Sequence, residues 1–183
     1  MLALLSDMPL PWEKTQMFQV DERVAEPGSQ DRNLTHLITM LPIERQAVVR
    51  PMPVTSRDLD AAARDYEASL PERLDLVHLG LGPDGHTASL VPDDPVLEVE
   101  DRRVAVTETA YQGHRRMTLT YSALAEARRI LWLVTGDDKR DALGWLLARD
   151  PSIPAGRVQN EDMVVVADEA AAAGTGMESD VSG

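Results

Sequence analysis

Apolar residues along this chain follow two rhythms. Six short runs, Thr15–Val20, Leu74–Leu81, Val104–Thr107, Met117–Thr120, Ile130–Thr135 and Met163–Ala167, are apolar enough to be strands. Between them, apolar positions recur every three or four residues. Leu34, Leu37, Ile38 and Leu41 predict a helix that Asp31 could cap. Leu59, Ala62, Ala63, Tyr66 and Leu70 predict a second, opened by the capping-box-like Thr55-x-x-Asp58. Ser122–Arg128 reads as a short helix, and Asp137–Arg149 as an amphipathic one with Ala142, Leu143, Leu146 and Leu147 inward. Val48–Val54 is demoted to an edge strand or extended connection, because Pro51 and Pro53 cannot donate to a ladder. Ala25–Gln30, with Pro27 and Gly28, reads as a loop. Leu74–Leu81 is the strongest strand, of the kind a parallel sheet buries on both faces. Strands alternating with helices predict an α/β fold, a Rossmann-like, mostly parallel sheet flanked by helices. The expectation is one domain over 1–170 and a flexible acidic tail over 171–183.

Charge and composition narrow the partners. The formal net charge of −13 argues against nucleic acid and anionic membranes. An anionic substrate would need a local basic pocket. With no cysteine, disulfides, thiolate metal sites and cysteine nucleophiles are excluded. The N-terminal MLALLSDMPLP lacks a basic region and is too short for a spanning helix, so a cytoplasmic protein is expected. No His/Asp/Glu spacing suggests a metal site, and there is no Gly-x-Ser-x-Gly elbow. Oligomeric state is not encoded in any visible pattern.

The chemistry concentrates in Leu76–Pro92, where Gly80-x-Gly82-x-x-Gly85 follows the strongest strand. Three readings compete. A dinucleotide site needs a long helix directly after the turn, but Pro92 and Pro95 stop one. The glycines could also simply make a tight turn. The third reading rests on position, since ligands of open α/β sheets bind beyond the carboxyl ends of strands. Asp84, His86, Thr87 and Ser89 lie there. A short helix starting near His86 would add its positive end, His86 could act as a general base, and Asp84 could orient it. His78, inside a strand run, reads as a core histidine, His36 as surface or packing, and His114 as a residue that could border the pocket.

Leu79-Gly-Leu-Gly-Pro-Asp-Gly-His-Thr-Ala-Ser-Leu-Val-Pro92 resembles the signature of the 6-phosphogluconolactonases, in a wider family with the glucosamine-6-phosphate deaminases. Further stretches fall in that family's order: Phe18-Gln-Val-Asp-Glu-Arg23 with Arg32-Asn33, Arg116-Met-Thr-Leu-Thr120, Gly136-Asp-Asp-Lys139, and Val164-Val-Val-Ala-Asp168. The match runs from roughly Leu10 to Ala171. Deaminases typically read Asp-Glu-Tyr where this chain has Asp21-Glu22-Arg23, and Gly-His-Ile-Ala-Phe where it has Gly85-His86-Thr87-Ala88-Ser89. The lactonase branch is therefore favoured over a deaminase-type isomerase.

The resemblance implies a fold of the sugar-phosphate isomerase/lactonase type. It also implies hydrolysis of 6-phospho-D-glucono-1,5-lactone to 6-phosphogluconate in the oxidative pentose phosphate pathway, with no metal and no cofactor. By that resemblance His86, Asp84 and Arg23 are the catalytic candidates. Gly82, Gly85, Thr87, Arg116 and Lys139 are the substrate-binding ones, the last two for phosphate. Backbone amides of the Gly80–Gly85 turn, or Arg23, would stabilise the oxyanion. The family's early Gly-Gly-Ser/Thr-x-Pro loop has no counterpart, and the resemblance joins the pattern at Leu4-Leu5-Ser6-Asp7-Met8-Pro9. The expectation is an N-terminally incomplete lactonase fold, with apolar strand faces uncovered, poor solubility or self-association, and weak turnover. A catalytically silent relative is the rival.

Overall fold

The computed structural model describes residues 8–41 and 48–177. The start of the family resemblance, Leu4–Asp7, and the last part of the expected tail, 178–183, lie outside the described residues. Among the described residues there are eight strands and five α-helices. They run β1 (Met17–Phe18), β2 (Asp21–Arg23), α1 (Asn33–Thr39), β3 (Val49–Arg50), α2 (Leu59–Ser69), β4 (Val77–Leu79), β5 (Val104–Val106), β6 (Arg116–Leu119), α3 (Tyr121–Glu126), β7 (Ile130–Val134), α4 (Arg140–Leu147), β8 (Met163–Ala167) and α5 (Glu169–Ala172).

The parallel part is the ladder β4–β7–β8 together with the pair β1–β3. The remaining ladder, β2–β6–β5, is antiparallel. The connection between β5 and β6 is too short for the crossover that a parallel neighbour would require. Among the described residues the strand pairing is thus mostly parallel, as the alternation implies, and the antiparallel ladder is a sheet of its own.

One face of β4–β7–β8 is core. Ile130, Trp132 and Val134 on β7 are buried beside Val77 and Leu79 of β4. Helix α4 contributes Ala142, Leu143 and Leu146 to the same core. The opposite face is open: Leu76, Val164 and Val166 are exposed, and so is His78, which is therefore no core histidine. The expectation of a strand buried on both faces does not hold for β4, whose burial alternates. Ala171 on α5 is fully buried, so the packed core extends to that helix.

Local capping explains several boundaries. Asp58 caps α2 by accepting from Ala61 N at 2.9 Å. Helix α1 is not capped by Asp31. Instead, the buried Glu22 carboxylate on β2 accepts from Asn33 N at 2.8 Å and Leu34 N at 2.9 Å. This carboxylate satisfies orphan amides of the first turn and pins α1 to the strand that carries Asp21 and Arg23. Among the described residues, no helix is long and apolar enough to cross a membrane.

Candidate active site

Beyond the carboxyl end of β4 the chain makes a tight turn rather than a helix. Gly82 N donates to His86 O at 2.8 Å, and Gly85 N to Gly82 O at 3.0 Å. Thr87 and Leu90 then bridge, with Ala88 at φ +49° and Asp93 at φ +63°. These left-handed residues and Pro92 prevent helical continuation. The short helix expected near His86 is therefore absent, and no dipole reinforces the site there. The Gly82 and Gly85 amides are consumed inside the turn, which removes both as oxyanion donors.

The turn's two key glycines do different jobs. A Cβ at Gly82 would lie 2.0 Å from His86 Nδ1 and 2.6 Å from Asp84 Oδ1, so only glycine leaves room for the pair. Gly85 has φ +80° and a Cβ there would strike Ile153. Its role is to pack the turn on the 153–155 segment, where Gly85 O accepts from Ala155 N at 2.9 Å. Thr87 is buried and donates its hydroxyl to Gly80 O at 2.9 Å.

His86 Nδ1 lies 2.6 Å from Asp84 Oδ1. Tyr111 OH donates to the other carboxylate oxygen at 2.8 Å and stands 3.2 Å from His86 Nδ1. Burial alone would raise the Asp84 pKa, but the hydrogen bonds from His86 and Tyr111 outweigh it and hold the carboxyl below its usual range. Burial, and then the bond to Asp84, raise the Tyr111 pKa, so it remains a neutral donor near pH 7. With Nδ1 engaged by an ionised carboxylate, Nε2 is the ring nitrogen left for a ligand.

His86 lines a cleft of ≈ 650 Å³ together with Gly82, Asp21, Asn33, Gln112 and Lys139. Lys139 enters from the one-turn helix after β7 and pairs with Asp138. Asp21 is half-buried, and desolvation raises its pKa. It accepts from Ser89 Oγ at 2.7 Å and Asn33 Nδ2 at 3.1 Å. A larger groove of ≈ 1290 Å³ lies at the other end of β7 and β8, past Tyr121, Arg157 and Asp162. Its Arg157 is spent on Glu98 at 3.0 Å, and it contains no histidine, so the smaller cleft is the chemical one.

Arg116 lies behind Gln112, only 3% exposed. Its Nη2 donates to Tyr111 O at 3.1 Å and to Gln112 Oε1 at 3.3 Å, and its Cζ sits 5.1 Å from the Tyr111 ring centroid. Arg23 is directly opposite it across the β2–β6 ladder. Like charges so placed repel, and burial, followed by Arg23, presses the Arg116 pKa down. Both Nε atoms are buried without a hydrogen-bond acceptor. Two facing guanidinium groups with unspent donors are a place for an anion.

The structure thus brings His86, Gly82 and Lys139 to one cleft, with Asp84 paired to His86 beside it and Arg116 and Arg23 behind its wall. Gly85 and Thr87 support the turn and do not line the cleft. His114 does not line it either; its ring bonds to Val24 O at 3.3 Å and faces Asp31 at 3.6 Å. Residue spacing missed Tyr111, Asp21, Asn33 and Gln112. The available signal was Tyr111-Gln-Gly-His, a turn sequence between two strands.

An open α/β sheet with a histidine–carboxylate pair beyond the end of a parallel strand, and cations around it, carries the groups that acid–base chemistry on an anionic ligand would use. The sequence pattern of the glucosamine-6-phosphate isomerases/6-phosphogluconolactonase family matches residues 1–167. The 6-phosphogluconolactonase of Mesorhizobium japonicum is 39% identical over 163 residues, covering 83% of this chain and 68% of its own length. That of Synechocystis sp. is 36% identical over 157 residues, covering 79% of this chain and 65% of its own. The chain therefore spans about two thirds of the curated relatives it matches. The crystal structure of the Thermotoga maritima 6-phosphogluconolactonase superposes with a TM-score of 0.79 at 28% identity, over 91% of this chain and 78% of that one. The protein belongs to the glucosamine-6-phosphate isomerase/6-phosphogluconolactonase family.

Proposed function

We propose that this protein hydrolyses 6-phospho-D-glucono-1,5-lactone to 6-phosphogluconate, the lactone-opening step of the oxidative pentose phosphate pathway. The observation that carries the reading is the Asp84–His86 pair at 2.6 Å at the wall of a cleft that also holds Lys139. Kinship with proteins named 6-phosphogluconolactonase supports the substrate class.

A six-membered lactone is an activated ester, so catalysis reduces to positioning water, removing its proton and stabilising one oxyanion. His86 Nε2 takes a proton from water as the oxygen attacks C1. Asp84, ionised and hydrogen-bonded at Nδ1, stabilises the imidazolium that forms. The tetrahedral intermediate then collapses, the C1–ring oxygen bond breaks, and His86 returns its proton to the departing C5 oxygen. The product is a ring-opened acid. With the Gly82 and Gly85 amides spent, the other amides of the Gly80–Gly85 turn and Arg23 are the oxyanion candidates left of those expected.

Lys139 holds the phosphate from the cleft wall, and Arg116 adds its charge from behind Gln112, reaching the phosphate once Gln112 swings aside. Binding at that end orients C1 for attack. The test is hydrolysis measured on the phosphorylated lactone and on unphosphorylated gluconolactone, with the spontaneous rate subtracted. A clear preference for the phosphorylated substrate is expected. Equal rates on the two lactones would remove the phosphate site from the account.

A further inference from the structure

Tyr111 closes the hairpin between β5 and β6. Tyr111 N donates to His114 O at 3.0 Å and His114 N returns to Tyr111 O at 3.3 Å. The two residues at the tip, Gln112 and Gly113, have φ +51° and +86°, the tight two-residue connection that matches strand twist. This tip leaves the tyrosine ring little freedom. The ring stands edge-on to His86, with centroids 5.1 Å apart and planes at 61°. Its hydroxyl donates to Asp84 Oδ2 at 2.8 Å, its face receives the Arg116 guanidinium at 5.1 Å, and its carbonyl accepts from that guanidinium at 3.1 Å. One side chain therefore touches the base, the carboxylate behind the base and the cation assigned to phosphate.

Asp84 needs such an anchor. It sits on an exposed turn, its side chain 36% accessible. Apart from Tyr111, the donors that it has are the ring and backbone nitrogens of His86. A carboxylate held only by the residue it is meant to orient can rotate into water together with it. We propose that Tyr111 is a positioning residue for this site: its hydroxyl locks Asp84 against His86 Nδ1, so that Nε2 stays the free basic nitrogen, while its ring seats Arg116. The functional half of this proposal rests on His86 acting as the base in lactone hydrolysis, but the geometric half does not.

The experiment separates the two halves. Long-range proton–nitrogen spectra of the uniformly ¹⁵N-labelled protein report which ring nitrogen of His86 carries the proton. The wild-type chain should show the Nδ1–H form alone, and Tyr111→Phe a mixture of both tautomers. Asp84→Ala should give the same mixture, which provides a second variant should Tyr111→Phe prove unstable. In the lactonase assay Tyr111→Phe should lose about tenfold in kcat, the worth of one hydrogen bond, with KM within about twofold. Tyr111→Leu, which also removes the ring beneath Arg116, should raise KM for the phosphorylated lactone as well. An unchanged Nδ1–H tautomer in Tyr111→Phe overturns the proposal whatever the turnover. If the wild-type protein hydrolyses no lactone, the functional reading falls, and the tautomer comparison still decides the role of Tyr111.

Discussion

Gly82→Ala adds a single methyl group, yet it should nearly abolish turnover. The new Cβ would sit 2.0 Å from His86 Nδ1, 2.2 Å from Cε1 and 2.6 Å from Asp84 Oδ1, where ordinary contacts begin near 3.4 Å. The imidazole must retreat by more than an ångström. A displacement of about 1 Å in a reacting group costs on the order of 10²-fold in rate, and the loss should appear in kcat. Stability should suffer much less. Gly82 is not in the left-handed region, so alanine gains roughly 0.4–1 kcal/mol through the unfolded chain. The clash, meanwhile, is with the tip of a side chain that can swing toward the cleft. Thermal unfolding and steady-state kinetics on one preparation test both halves. Gly144→Ala is the control, since the same methyl on α4 meets nothing within 4 Å. It should stabilise by up to about 1 kcal/mol without changing the rate. Turnover of Gly82→Ala within about threefold of the wild type would refute the claim that the Asp84–His86 geometry matters.

Lys139→Ala and Arg116→Gln should each weaken binding of the phosphorylated lactone by about 1.5–3 kcal/mol; an equal loss on unphosphorylated gluconolactone would remove either residue from the phosphate site. Inorganic phosphate should raise the melting temperature of the wild type by binding the folded state, and Arg116→Gln should blunt the rise; the same rise in both would place the anion elsewhere. Asp94 is buried and accepts from Val96 N, Glu108 N, Thr109 N and Thr109 Oγ1. Burial alone would raise its pKa, but those bonds outweigh it and hold the pKa below the usual carboxylate value. Its contribution is therefore complete above about pH 4 and is lost as pH falls through the depressed folded pKa. Asp94→Asn should cost about 1–3 kcal/mol near neutral pH and reduce the acid sensitivity of unfolding; chemical denaturation between neutrality and pH 3 checks both, and an unchanged acid slope would count against the network.

What could be read from the sequence was local. Strands β7 and β8 and helices α2 and α4 carry their own periodicity and form within the stretches that it picks out, although Asp58 rather than Thr55 caps α2 and no side chain caps α4. The long glycine–histidine motif likewise points to its own turn, because most of the interactions that shape the turn lie within residues 80–90. The remainder depends on partners remote in the chain. The apolar runs of β5 and β6 do not reveal an antiparallel ladder with β2, which is fixed by the short hairpin and by Asp21, Glu22 and Arg23 lying opposite Thr118, Met117 and Arg116. The cap of α1 comes from Glu22, eleven residues upstream of Asn33. Tyr111 reaches Asp84 across 27 positions, and Ser89 reaches Asp21 across 68. The expected helix at His86 failed for a local reason, the left-handed Ala88 and Asp93, which spacing of apolar residues does not report.

The central claim is that His86 is the base of a lactonase. The most direct measurement compares wild type with His86→Ala on 6-phosphogluconolactone, with acid release followed continuously and the spontaneous rate subtracted at each pH. The account predicts turnover above background in the wild type and a loss of roughly 10²–10⁴-fold in His86→Ala, with the variant's melting temperature close to that of the wild type. Equal net rates in the two proteins, or no wild-type rate above background, would contradict it.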